Sequence, residues 1–237
     1  MKLYSACYQH GMPFSMIPRI KETVLVKSGR QMTDENSVLV VWGGADISPS
    51  YYGQQAHHTS QTPGGPSVRD RMEWDCMERA VERGIPIIGV CRGAQMACAM
   101  AGGLLIQDCK GHTSSHQMLT DKGEQYKTSS LHHQMMYPWE VEHHLIAWSL
   151  PRDENDVPFR TKINSLKVGS AHEWVDASGR ECAVPFFEKE PEIVYFPKIK
   201  ALAIQGHPEF MDEGAPYVRY CNRLIQEYLL NNVKVPA

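Results

Sequence analysis

Ile85-Pro86-Ile87-Ile88-Gly89-Val90-Cys91-Arg92-Gly93-Ala94 decides the fold of this chain. An apolar run ends in a tight G-x-C-x-G turn, and an alanine-rich stretch, residues 94–103, follows and closes on glycine. That order predicts a strand, a sharp turn and a helix, with one cysteine at the apex. A G-x-nucleophile-x-G turn lifts its central side chain out of a sheet, and the flanking glycines avoid a Cβ that would crowd it. A cysteine at a helix N-terminus also meets the positive end of the helix dipole, which favours thiolate. Alone the pattern is weak, because a free cysteine is commonly a small buried hydrophobe. Six others are present: Cys7, Cys76, Cys98, Cys109, Cys182 and Cys221.

The surroundings give the pattern its weight. Residues 38–42, 85–90 and 201–204 are continuous apolar runs, as expected of parallel strands covered on both faces. Residues 2–8 and 23–27 read as further strands. Residues 69–83 carry Met72, Cys76, Met77, Ala80 and Val81 on one helical stripe, with Gly84 as a stop. Pro216 opens a last helix whose stripe is Val218, Cys221, Leu224, Ile225 and Leu229. Strands alternating with helices predict an α/β fold, a mainly parallel sheet flanked by helices. Its active site belongs beyond the carboxyl ends of the strands, where Cys91 falls. Residues 149–180 are polar and hold Pro151, Pro158 and Gly169, so loops and a few antiparallel strands are expected there.

With 237 residues and no repeat or linker, the chain reads as one domain, 1–237. A formal net charge of −3 without a basic cluster argues against nucleic acid. No apolar stretch is long enough to cross a membrane, and residues 1–12 lack the apolar core of a secretory signal. The cysteines form no C-x-x-C pair, which suggests reduced thiols in a cytoplasmic protein.

A thiol nucleophile needs a base, and the base an orienting group. Gln205-Gly206-His207-Pro208-Glu209 follows the last buried run and should share the rim with Cys91. The two-residue spacing lets the Glu209 carboxylate hold the His207 imidazole, although an isolated His-Pro-Glu is by default only a turn. Trp42-Gly43-Gly44-Ala45-Asp46 follows the first buried run. Its glycines leave main-chain N–H groups free to approach a ligand, and one of them, with the N–H of Arg92, could stabilise an oxyanion.

Together these segments resemble the class I glutamine amidotransferase superfamily, a flavodoxin-like fold with a cysteine nucleophile elbow. The match is closer to its gamma-glutamyl hydrolase branch, which includes gamma-glutamyl-gamma-aminobutyrate hydrolases. Gly43-Gly44-Ala45-Asp46-Ile47-Ser48-Pro49 with Tyr52-Gly53 is similar to that branch's G-G-x-D-x-x-P…Y-G segment. Arg69-Asp70 with Glu73, residues 102–108, and Ser130-Leu131-His132-His133-Gln134 match in order. The resemblance runs from Trp42 to Glu209. It departs at Ser129, where the branch commonly has asparagine. It also departs before Gly43, where Pro13 and Pro18 imply a shortened or replaced first helix.

The resemblance implies Cys91 as nucleophile, His207 as base and acid, Glu209 as its orienting carboxylate, and Gly44 and Arg92 as oxyanion donors. It implies that Gln95, His133, Gln134 and Met135 contact the glutamyl part of a substrate, partly through backbone groups. The implied reaction is hydrolysis of a γ-glutamyl amide, either a γ-glutamyl amine or glutamine, through a Cys91 thioester without a cofactor. The alternative is a glutaminase subunit that hands ammonia to a separate synthetase. A non-catalytic binding protein and a thiol-redox protein fit less well, given intact Cys91, His207 and Glu209 and no resolving cysteine beside Cys91. His112 and His116 have i,i+4 spacing, but Gly111, Thr113, Ser114 and Ser115 favour a loop, and no metal site is expected.

Overall fold

The computed structural model describes residues 1–7, 19–62, 64–109, 112–150, 172–183 and 189–231. Its strands are β1 (Lys2–Ala6), β2 (Glu22–Val26), β3 (Ser37–Val41), β4 (Ile87–Val90), β5 (Leu104–Ile106), β6 (Asp108–Cys109) and β7 (His116–Thr120). They continue as β8 (Gln125–Thr128), β9 (Met135–Tyr137), β10 (His144–Ser149), β11 (His172–Val175), β12 (Glu181–Ala183), β13 (Pro191–Phe196) and β14 (Ala201–Ile204). The helices are α1 (Val68–Glu82), α2 (Arg92–Met100) and α3 (Pro216–Leu224).

The main sheet has nine strands in the order β2-β1-β3-β4-β14-β13-β10-β7-β8. From β2 to β14 all neighbours are parallel. From β14 to β8 all are antiparallel. The expected parallel sheet is therefore the half that carries the elbow, and an antiparallel extension continues it. Strands β3, β4 and β14 are buried along their whole length, as their unbroken apolar sequences require.

Period-two alternation divides these strands between two cores. Leu39, Val41, Ile87, Ala201 and Ala203 pack with Cys76, Met77 and Ala80 of α1 and Ala94, Ala97 and Cys98 of α2. Val38, Val40, Trp42, Ile88, Val90, Leu202 and Ile204 pack with Tyr217, Cys221 and Leu224 of α3. Each such aliphatic side chain contributes about 1.5–3 kcal/mol on burial. The sheet between these two cores is the rigid platform for the elbow.

Several expectations shift in detail. The strand expected over 2–8 ends at Ala6, and the one over 85–90 begins at Ile87. Helix α2 starts at Arg92, immediately after the cysteine. On α1 the buried face is Asp70, Glu73, Cys76, Met77 and Ala80, while Val81 is exposed. The expected apolar stripe is thus rotated toward two carboxylates. The stripe of the last helix is buried as expected and continues through a wider helical turn, Ile225–Leu230. Of the antiparallel strands expected in 149–180, β11 pairs with β12 and β6; residues 151–171 lie outside the described residues. So does the stretch around Pro13 and Pro18, where the first helix was expected to be shortened. Among the described residues no helix is long and apolar enough to cross a membrane.

Candidate active site

The carboxyl ends of β4 and β14 are neighbours, so the sheet alone brings residues 91 and 205–209 together. The Cys91 N–H donates to the Ile204 carbonyl at 2.7 Å, which extends the ladder by one step and fastens the elbow to β14. The Cys91 carbonyl then accepts the N–H groups of Ala94 and Gln95, opening α2. Between these ties the backbone turns at φ 50°, ψ −106°, a conformation rarely adopted by a residue with a Cβ. Gly93 allows it: a Cβ there would lie 2.0 Å from the Val41 carbonyl oxygen, so α2 rests directly on β3.

His207 Nδ1 lies 2.8 Å from Glu209 Oε1, and the imidazole and the Cys91 side chain both face Gly43. Cys91 is 4 % exposed and His207 5 %. Burial by itself lowers the affinity of the imidazole for a proton. The Cys91 and Glu209 interactions outweigh it and raise the pKa of His207 to about 10. Burial pushes the thiols of Cys76, Cys98 and Cys221 up to about 12 and that of Cys109 well above its ordinary range. Those cysteines pack as small hydrophobes.

The Gly43-Gly44 loop closes one side. A Cβ on Gly43 would lie 2.6 Å from His207 Cε1 and 3.4 Å from Cys91 Cβ. Gly44 has φ +146°, and a Cβ there would collide with the Arg69 guanidinium. Arg69 donates from Nη2 to the carbonyls of Gly43 (2.8 Å) and Trp42 (3.2 Å), and from Nε to Glu73 (2.8 Å). Glu73 and Asp70 in turn hold the buried Arg92 guanidinium. One chain of ion pairs therefore joins the loop that carries Gly44 to the first residue of α2. In the sequence Arg69, Asp70 and Glu73 stand only as a matching helix entry, with no role attached. Their i,i+3 and i,i+4 spacing was the available signal.

The remaining candidates separate. Gln95 Nε2 donates to the Gln134 carbonyl at 2.8 Å, and the buried Gln134 amide makes no hydrogen bond among the described residues. These two residues meet behind Cys91. His133 pairs with Asp46 of the glycine loop at 3.1 Å. Met135 lies in β9, its side chain buried with Ile106, Cys109, Tyr137 and Trp174, so only its backbone can face a ligand.

Residues 8–209 match the peptidase C26 family, a span that holds Cys91, His207 and Glu209. The chain belongs to the peptidase C26 family. YvdE of Lactococcus lactis subsp. lactis (strain IL1403), named as glutamine amidotransferase-like, is 29 % identical over 196 residues, 80 % of this chain and 72 % of that protein. A Mycobacterium tuberculosis relative named as a glutamine amidotransferase is 39 % identical over 83 residues. That match takes in 34 % of this chain and only 26 % of the relative. The fold of this peptidase C26 chain is similar to PurLQS from Thermotoga maritima (TM-score 0.56, 14 % identity, 96 % of this chain and 98 % of that one). It is also similar to a glutamine amidotransferase of the same organism (TM-score 0.52, 13 % identity, 96 % and 82 % covered).

Proposed function

We propose that this chain hydrolyses γ-glutamyl amides through a Cys91 thioester. The observation that carries the reading is the elbow: a strained cysteine beside an imidazole that Glu209 holds at 2.8 Å and whose pKa the cysteine and the carboxylate raise. The Cys91 sulfur adds to the δ-carbonyl carbon, and the negative charge that develops on oxygen is taken by the N–H groups of Gly44 and Arg92. His207 gives its proton to the departing nitrogen as the C–N bond breaks. Water then adds to the thioester, losing its proton to His207, and glutamate leaves as the thiolate is restored. Gln95, the Gln134 amide and main-chain groups near Met135 hold the glutamyl end, and His133 stands beside it, braced by Asp46.

Glutamate release from glutamine and a panel of γ-glutamyl amines, with Cys91→Ala as control, tests this. Turnover of a γ-glutamyl amine well above glutamine, lost in the variant, is expected. Turnover that survives in Cys91→Ala would refute the reading.

The second reading, a glutaminase subunit serving a separate synthetase, is favoured by one feature. Leu131 and Phe210 are 65 % and 58 % exposed. Their segments are tied by the hydrogen bond from the His207 N–H to the Ser129 carbonyl. Apolar side chains at a site mouth suit a protein partner as well as an apolar amine. Slow glutamine turnover alone, stimulated by an acceptor enzyme, would select this reading.

A further inference from the structure

His112 lies in the loop before β7, whereas His116, expected in the same loop, is the first residue of that strand. The fold brings His112 to different partners, His132 before β9 and Glu192 on β13. One ligand atom from each of these three buried residues lies within 4.8 Å of the others. His112 Nδ1, His132 Nε2 and Glu192 Oε2 are buried and make no hydrogen bond among the described residues. Buried polar atoms normally have partners, so three orphans on one cluster of residues from separate elements need an explanation.

The opposite nitrogens supply it. His132 Nδ1 donates to the Gln134 carbonyl at 2.9 Å, which leaves Nε2 as a lone pair. His112 Nε2 meets the Glu190 carboxylate at 3.1 Å, which turns Nδ1 toward Glu192, where a bound cation would take the place of its proton. Glu192 Oε1 is held by His116 Nε2 at 2.6 Å, and His116 Nδ1 meets the Ser114 carbonyl at 3.1 Å. Each member thus has one atom engaged by an outer group that fixes its orientation and a second atom without a hydrogen bond. Histidines that bind metals are oriented in this way.

We infer that His112, His132 and Glu192 form a binding site for a zinc-like divalent cation, oriented by His116, Glu190 and the Gln134 carbonyl. The donor set, two imidazole nitrogens and a carboxylate oxygen, suits such an ion, with water completing a tetrahedron. His112 Nδ1 stands 3.4 Å from Glu192 Oε1, the oxygen that His116 holds, so Oε2 is the carboxylate atom left for an ion. The site adjoins the proposed glutamyl pocket, because the carbonyl that orients His132 also accepts from Gln95. An ion pair between Glu192 and the histidines is the competing account; it engages His112 Nδ1 but leaves His132 Nε2 and Glu192 Oε2 without partners.

Cobalt titration of the metal-stripped full chain tests the site. The parent is Cys91→Ala, which removes the elbow thiol as a competing ligand. One Co²⁺ per chain is expected, with the strong visible absorption of four-coordinate cobalt and displacement by one Zn²⁺. His132→Ala and Glu192→Gln should each weaken binding at least about 100-fold, a direct ligand counting for more than the roughly 10–100-fold of a residue that only orients one. A second group, His57, His58 and Glu181, is largely exposed and serves as the control. His58→Ala with Glu181→Gln should leave the affinity unchanged. Failure of the folded parent to bind one equivalent would overturn the proposal. So would binding that survives His132→Ala and Glu192→Gln, or that disappears in the control pair. If the ligand variants do not fold, X-ray absorption of the cobalt-loaded parent decides: scattering from two imidazoles supports the site, and its absence refutes it.

Discussion

At the scale of the residue, Cys91 holds a backbone conformation that costs about 1–3 kcal/mol and survives only where its surroundings enforce it. Gly93 is part of that enforcement. Because its missing Cβ would face a backbone oxygen of a central strand, Gly93→Ala should destabilise the protein by about 3 kcal/mol in urea unfolding. Gly53 provides the contrast: its φ is +68° but the space around it is open. Gly53→Ala should cost only the roughly 1–2 kcal/mol of left-handed strain, and equal losses at the two sites would contradict the close approach of α2 to β3. His207 carries a second expectation. Burial lowers its pKa, Cys91 and Glu209 raise it more, and the result is about 10. A folded value above the unfolded one near 6.5 contributes stability that is complete below the unfolded value and lost as pH rises through the folded one. NMR of the imidazole nitrogens should therefore show His207 protonated well above pH 8, with a lower midpoint in Cys91→Ala. The stability advantage of the parent over that variant should shrink between about pH 6.5 and 10. An unmoved midpoint in Cys91→Ala would show that the thiol does not hold the imidazole.

At the scale of the element, α1 carries most of what the sequence concealed. Its Asp70 and Glu73 were legible as charges, and charges on a helix ordinarily face water. Here they are buried because Arg92, at the start of α2, turns its guanidinium between them. Removing one partner of a buried ion pair is far costlier than the net worth of the pair. Glu73→Gln should thus destabilise by about 3–5 kcal/mol. Arg69→Met should act differently. It frees the Gly43 carbonyl, so kcat should fall about 10–100-fold with a smaller change in KM, while alkylation of Cys91 by iodoacetamide keeps its rate. If KM alone changes, Arg69 does not position the glycine loop. The elbow and the strands of the parallel half were readable because their signals are local: continuous apolar runs, paired glycines and a histidine two residues from its carboxylate. The antiparallel extension was not, since β7, β8 and β10 mix polar and apolar residues and find their places only through β13. The meeting of His112, His132 and Glu192 depends on the same long-range pairing, which sequence spacing does not encode.

At the scale of the whole molecule, the sheet changes character at β14, and the candidate site lies at that boundary. The parallel half presents Cys91 and His207 at adjacent strand ends. The antiparallel half ends in β8, and the chain after it returns to the site: the Ser129 carbonyl accepts the His207 N–H, His133 pairs with Asp46 and the Gln134 carbonyl accepts from Gln95. Leu131 and Phe210, both exposed, come from opposite sides of this boundary, and the Phe210 ring stacks on His207 with centroids 4.7 Å apart. An apolar rim of this kind gains free energy only when something apolar covers it. For a free-standing hydrolase the cover is the amine that leaves. Leu131→Glu removes half of that rim and, being on the surface, should change stability by no more than about 0.5 kcal/mol. It should raise KM several-fold for γ-glutamyl amines with hydrocarbon leaving groups. Glutamine, whose leaving group is ammonia, has nothing to lose there, so its kinetics should hold. Steady-state measurements on both substrates separate the two cases. An equal loss on glutamine would move Leu131 into the glutamyl pocket. Unchanged kinetics on both, with loss of stimulation by an acceptor enzyme, would assign the rim to a protein partner.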